Sequence, residues 1–241
     1  MKRWGEAEDP RRRWLIQALA AGFFSGAAGE ALAQILGTAP SKLPPGKSVY
    51  RVNGAVLING QAATPDSKVG AGATIVTGRN AEIVYAVGES AFVLRSDSHV
   101  VVEAPPSDSL VVSGIRLLAG KLLSVFPSRR PVQLTTRIAS IGIRGTGVYL
   151  ESDPDQTYFC TCYGVADVTA NNDPQSKETI AAKHHDRPLY VLPNEAPGKN
   201  IRNAPFVNHT DQELMLIETL VGRTPPFLFP KSDYTGPRRG Y

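Results

Sequence analysis

The chain has 241 residues, 42% of them hydrophobic, with 26 Lys and Arg against 22 Asp and Glu and a formal net charge of +4. That is enough for one core of ordinary size with an appended segment, and too little for a multidomain machine. The basic residues are spread along the chain and cluster only at 11–13, 129–130 and 238–239. The basic stripe that phosphate tracking needs is missing, which excludes nucleic acid as the expected partner.

Arg11-Arg12-Arg13-Trp14-Leu15-Ile16 opens an apolar run from Leu15 to Ala28, followed by the small-x-small site Ala31-Leu32-Ala33. Basic residues, a moderate apolar run and a small-residue site make residues 1–33 an export signal peptide. The run is too short and too glycine-rich for a membrane span, which takes about 20 predominantly apolar residues. Arg11, Arg12, Trp14 and Leu15 resemble the twin-arginine export motif, Trp14 standing where Phe is usual. The general secretory route and an uncleaved anchor stay open. The expectation is a protein of the bacterial periplasm, peripheral to the membrane unless the signal is retained. Residues 34–48 carry three prolines and no periodicity and read as a linker.

From Val49 to about Val168 the chain repeats one texture: short runs of Val, Ile, Leu and Thr, each bounded by Gly, Asn, Asp, Ser or Pro. The runs are Ala55–Ile58, Thr74–Thr77, Glu82–Val87, Ala91–Arg95, His99–Glu103, Leu110–Val112, Ile115–Leu118, Lys121–Phe126, Val132–Thr136, Gly147–Glu151 and Thr157–Tyr163. Strand composition with such frequent turn signals predicts an all-β domain. Asn59-Gly60 suits a two-residue turn in which both central residues have positive φ. Two architectures remain open: a sandwich or roll, and a short β-solenoid of stacked hairpins.

The segments Val52–Ala63, Gly72–Tyr85, Gly88–Leu94, Ser98–Glu103 and Leu118–Phe126 resemble, in order, the successive hairpins of the FecR-type sensor domain. The series closes on Leu134-Thr-Thr-Arg-Ile-Ala-Ser-Ile-Gly142-Ile-Arg144-Gly145-Thr146-Gly-Val-Tyr149, which is similar to the family's most distinctive run. The resemblance covers about residues 49–168. It implies a β domain that senses an occupied iron receptor and controls a sigma factor across the inner membrane. This chain departs from that pattern: no anti-sigma domain fits before Arg11, no membrane span is evident, and no further receptor-contacting domain follows. The expected role is therefore an exported, standalone binding or sensing module, with accessory work in receptor-linked signalling as the alternative. Apart from the family, three glycines within Gly142–Gly147 predict a tight crossover or bulge. Arg144 is expected to tie down loop carbonyls there with its five donors.

Residues 170–178 read as a polar loop, with Thr179–Ala182 and Pro188–Leu192 as short strands framing His184 and His185. Pro193 to Pro205 reads as irregular. A helix is predicted over 211–221, with Thr210 as N-cap, Glu213 as capping-box partner and Gly222 as terminator. Its apolar face is expected to pack on the β domain. Residues 169–241 are thus a C-terminal extension.

The only two cysteines, Cys160 and Cys162, stand one residue apart in a strand-like run, so both point to one face together with Tyr158. Three readings stay open. The thiols are small core side chains; or they form a disulfide, strained because same-face positions lie about 6.6 Å apart with parallel Cβ vectors; or they form a metal or redox site. In the metal reading Cys160 and Cys162 act with His184 and His185 on zinc or copper. His185 is preferred because Asp186 could orient it, and His209 could approach the same end. No catalytic motif is present, so the protein is expected to bind an envelope protein or a metal ion rather than to catalyse, with thiol redox chemistry as the contrary case.

Overall fold

The computed structural model of the protein describes residues 40–103, 105 and 111–227. The export motif at Arg11, Arg12, Trp14 and Leu15, Leu110 and the tail beyond 227 lie outside the described residues. Among the described residues, fourteen strands join one hydrogen-bonded sheet, with one α-helix near the C-terminal end. The all-β expectation with a single C-terminal helix holds. None of the described helices is long and apolar enough to cross a membrane.

The strands are β1 (Val49–Asn53), β2 (Val56–Ile58), β3 (Gln61–Ala62), β4 (Thr74–Thr77), β5 (Glu82–Val87), β6 (Ser90–Leu94), β7 (His99–Glu103) and β8 (Gly114–Val125). Then follow β9 (Pro131–Thr135), β10 (Ala139–Ser152), β11 (Thr157–Ala170), β12 (Asp173–Ala182), β13 (Leu189–Val191) and β14 (Ile201–Asn203). All pairings are antiparallel except β8 with β9, which is parallel. Between β2 and β3 the two-residue turn forms as expected, with Asn59 at φ 52° and Gly60 at φ 79°.

Three long strands change partners along their length. β8 pairs β7 and β9 through its first half, then β6 and β10 through its second. β10 passes from β9 to β8, and β11 from β13 to β12. One apolar cluster collects Ile75, Val100, Leu117, Leu134 and Ile141 from one part of the network and Ile83, Phe92, Leu122, Leu150 and Phe159 from the other. The sheet therefore curls over a shared core as a roll. In that network β8 alone is bonded to four different strands.

The runs 115–118 and 121–126 merge into β8, since Gly120 at φ 89° bends the strand without ending it. The Gly142–Gly147 segment is part of β10, and its glycines form a bulge: pairing with β11 skips between Arg144 and Gly147, with Gly145 at φ 58°. Val111 and Val112 form no strand. The polar stretch expected as a loop to 178 is strand from Asp173 onward, joined to β11 by the turn Asn171-Asn172. Its polarity belongs to an exposed strand whose inward positions, Ser176, Ile180 and Ala182, are buried. Pro174 falls within the irregularity between Ala170↔Asp173 and Thr169↔Lys177, where a missing N–H is tolerated. A short strand, β14, stands inside the segment expected to be irregular.

The helix α1 (Asp211–Leu220) starts on a full capping box between Thr210 and Glu213. It ends with Gly222 N–H donating to Thr219 O and Arg223 N–H to Glu218 O, a Schellman arrangement. Leu214, Ile217 and Leu220 are buried on the outer face of the sheet, in a second apolar cluster with Val84, Val93, Leu123 and Val125. Each such side chain contributes about 1.5–3 kcal/mol. Thr210→Ala removes a cap worth about 1 kcal/mol. A fall in Tm of about 2–4 °C is the expected result in a thermal melt; an unchanged Tm would show the cap to be redundant.

Candidate metal centre

β11 is buried on both faces over Thr157–Tyr163. Phe159 enters the inner core, while Tyr158, Cys160 and Cys162 face outward beneath α1 and its approach segment. That double burial explains why this run is apolar without alternation. Both cysteines are free and fully buried, so the disulfide reading does not describe this structure.

The loop after β12 carries His185 to the cysteines. Its backbone N–H donates to Cys162 O at 2.8 Å, and the residue adopts φ 52°, a left-handed conformation uncommon outside glycine and costing on the order of 1 kcal/mol. His185 Nδ1 lies 3.6 Å from Cys160 Sγ and 3.1 Å from His209 Nε2. The ligand atoms of Cys160, Cys162, His185 and His209 all lie within 4.8 Å of one another. His209 is 0% and His185 8% exposed, so little of the group reaches solvent.

The outward nitrogens decide the tautomers. His185 Nε2 donates to Asp211 Oδ1 at 2.9 Å, and His209 Nδ1 donates to Val207 O at 2.7 Å. The nitrogens that face each other are consequently lone-pair positions in the neutral rings. Two lone pairs 3.1 Å apart require a positive charge between or beside them, either a second proton on one ring or a metal ion. Burial alone would raise the Cys160 thiol, but hydrogen bonds with Cys162, His185 and His209 hold it well below the ordinary thiol range. Cys162 is pushed well above that range by burial and by its neighbour Cys160. Against the effect of burial, Asp211 and Cys160 raise the His185 imidazole to about 9.

A tetrahedral zinc site, with bonds of about 2.3 Å to sulfur and 2.0–2.1 Å to nitrogen, has ligand-to-ligand edges of about 3.6 Å for S–N and 3.3 Å for N–N. The observed 3.6 and 3.1 Å fit those edges. Both imidazoles are oriented as metal ligands usually are, one by a carboxylate and one by a backbone carbonyl. Aromatic rings complete the wall: Tyr149 stacks on His209 at 4.4 Å, and Phe206 lies 4.5 Å from His185 and 4.3 Å from His209. Arg95 braces this wall, with its guanidinium 5.9 Å over the Tyr149 ring while it donates to Asn208 O and Glu213 Oε1.

Of the residues expected from the sequence, Cys160, Cys162 and His185 come together. His184 does not join them: its Nε2 turns to the Asp211 carboxylate at 3.0 and 3.1 Å. Asp186 does not orient His185 but accepts from the backbone N–H groups of Lys183 and His184. That orienting role belongs to Asp211, the first residue of α1, which sequence reasoning missed. Nothing in the local pattern marks Asp211 beyond the acidic first turn that favours any helix N-terminus. In the signature loop, Arg144 pairs with Asp167 Oδ2 at 2.8 Å instead of tying down carbonyls. Thr146 is buried, with its hydroxyl near Val165 O.

A cavity of about 580 Å³ opens beyond His184, lined by Tyr163, Lys183, Arg223 and Phe227 among others, and none of the four clustered Cys and His residues lines it.

Neither a protein-family model nor a curated protein sequence matches the chain. Two crystal structures described as a "putative anti-sigma factor" from Parabacteroides distasonis ATCC 8503 are similar to it in fold, with TM-scores of 0.43 and 0.42 at 11% identity. Each match covers 54% of this chain and 58% of the other. It is a distant structural match, and nothing about the Cys/His group is carried over from it.

Proposed function

We propose that the protein is a non-catalytic metal-binding module, with Cys160, Cys162, His185 and His209 holding one zinc ion. The observation that carries this is the convergence of four ligand atoms within 4.8 Å of one another, with the Cys160–His185 and His185–His209 distances matching tetrahedral edges and each imidazole held by an outward partner. Two thiolates and two neutral imidazoles balance a divalent ion. Copper(I) would leave one net negative charge in a dry site, which is costly. A complete four-ligand shell leaves no position for a substrate, as in structural zinc sites and unlike catalytic ones. Thiol redox work is disfavoured by the 0% exposure of both cysteines, because exchange needs access to the sulfur.

The same reading places the module in the bacterial periplasm as an exported, FecR-like β protein. Its support is the twin-arginine-like motif at Arg11 and Arg12 and the order of hairpin motifs through residues 49–168. Export of an already folded chain suits a centre that must be loaded before competing envelope metals are met.

Metal analysis with free-thiol titration, on protein exported by its own signal and purified without chelators, tests the assignment. One zinc per chain with both thiols blocked, and both effects lost in Cys160→Ser, is the expected result. No bound metal together with two unblocked thiols would leave the cysteines as core side chains.

A further inference from the structure

The clustered ligands come from three parts of the fold. Cys160 and Cys162 belong to β11 in the body of the sheet, His185 to the loop after β12, and His209 to the residue before the helix cap Thr210. Asp211, the first residue of α1, accepts from both His184 and His185. An ion held by these side chains therefore joins the sheet directly to the start of the helix. α1 in turn lies on Val84, Val93, Leu123 and Val125, the outer apolar face. With 10 residues it is shorter than the roughly 12–15 that an isolated helix needs in water, so it stays helical only while docked.

We infer that a zinc ion in the Cys160, Cys162, His185 and His209 site clasps α1 to the sheet, and that losing the ion loosens residues 206–222 and uncovers the apolar face beneath them. The inference rests on the metal reading above and adds a regulatory consequence: metal supply decides how often an apolar surface is displayed. Other attachments hold the same segment: ahead of the helix Val207 N–H donates to Tyr158 Oη and Asn208 Nδ2 to Glu151 Oε1, and the rest lie further along α1. Arg95 bonds Glu213, Tyr163 donates to Glu218, Leu43 N–H donates to Leu220 O, and Arg223, paired with Glu218, donates to Glu89 O. These contacts and the three buried apolar side chains keep the metal-free helix in a docking equilibrium, so the clasp sets its position.

Hydrogen exchange read by mass spectrometry on the full chain, zinc-loaded and chelator-stripped, tests this, with metal content measured on the same samples. Amides of 211–220 are expected to exchange about 10-fold faster or more in the stripped form, within the usual range of coupling between sites, while those of Val148–Leu150 in β10 stay unchanged. One zinc per chain with equal protection of α1 in both forms would overturn the clasp and leave the metal reading standing. No zinc in any sample removes the metal reading and the clasp with it. Faster exchange in β10 as well would mean that the ion stabilises the whole fold, and that too overturns the clasp. A second variant tests reciprocity: Ile217→Asp undocks α1 without altering a ligand, and zinc affinity should fall by a similar factor because coupling between sites is mutual. An unchanged affinity in a variant whose helix is undocked would refute the inference.

Discussion

Alanine in place of His209 is expected to weaken zinc binding by about two orders of magnitude, measured by competition with a chromophoric chelator. Structural zinc sites bind with about 10–16 kcal/mol, or about 3 kcal/mol for each of four ligands, and 1.4 kcal/mol is a factor of ten. The same titration on Asp211→Asn should show a smaller loss of about 10–100-fold, because Asp211 orients His185 without touching the ion. The ordering of the two variants is the informative part. Equal, slight effects would mean that neither imidazole holds metal. If Asp211→Asn proved the more damaging, the centre would lie on the His184, His185 and Asp211 side of the same histidine.

The largest effect on stability is expected at Gly120, which contributes no group to the Cys/His cluster. This residue lies where β8 leaves β7 and joins β6, at φ 89°, and a Cβ built there would sit 2.5 Å from the Ser98 Cα. Ser98 is fixed on both sides: its N–H donates to Thr77 Oγ1 and its Oγ accepts from Lys121 N–H, both at 2.9 Å. Neither partner can give way cheaply. Gly120→Ala combines left-handed strain of about 1–3 kcal/mol with overpacking of about 1–3 kcal/mol. The expected loss is about 3–5 kcal/mol, and a Tm lower by about 10 °C. Denaturant unfolding that shows less than about 1 kcal/mol would mean that β8 bends by some other means.

Part of this architecture was legible in the residues. The strand texture, the Asn59-Gly60 turn and the helix with both of its caps depend on neighbours a few positions apart, and local propensity with capping chemistry suffices to place them. The even spacing of Cys160 and Cys162 likewise fixed that the two thiols share a face, since alternation is a property of any strand. The three glycines within Gly142–Gly147 pointed to a special backbone, and the bulge is there, although Arg144 serves Asp167.

What escaped the sequence depends on partners brought from a distance. Residues 170–178 looked like a loop because they are polar, and only pairing with β11 makes most of them strand. Leu118-Ala-Gly120 looked like a break between two strands, and only the close passage of Ser98 shows it to be a bend within one. At the Cys/His cluster the sequence determined the thiol pair and offered several histidines, ranked only by Asp186 beside His185, which in the fold serves backbone N–H groups instead. The tertiary structure ranked them: the left-handed turn at His185 aims its Nδ1 at Cys160, the docking of α1 brings His209 beside it, and Asp211 takes the outward N–H. Strand and helix signals act over a few residues, whereas a ligand set drawn from three separate elements exists only once packing has closed the distance between them.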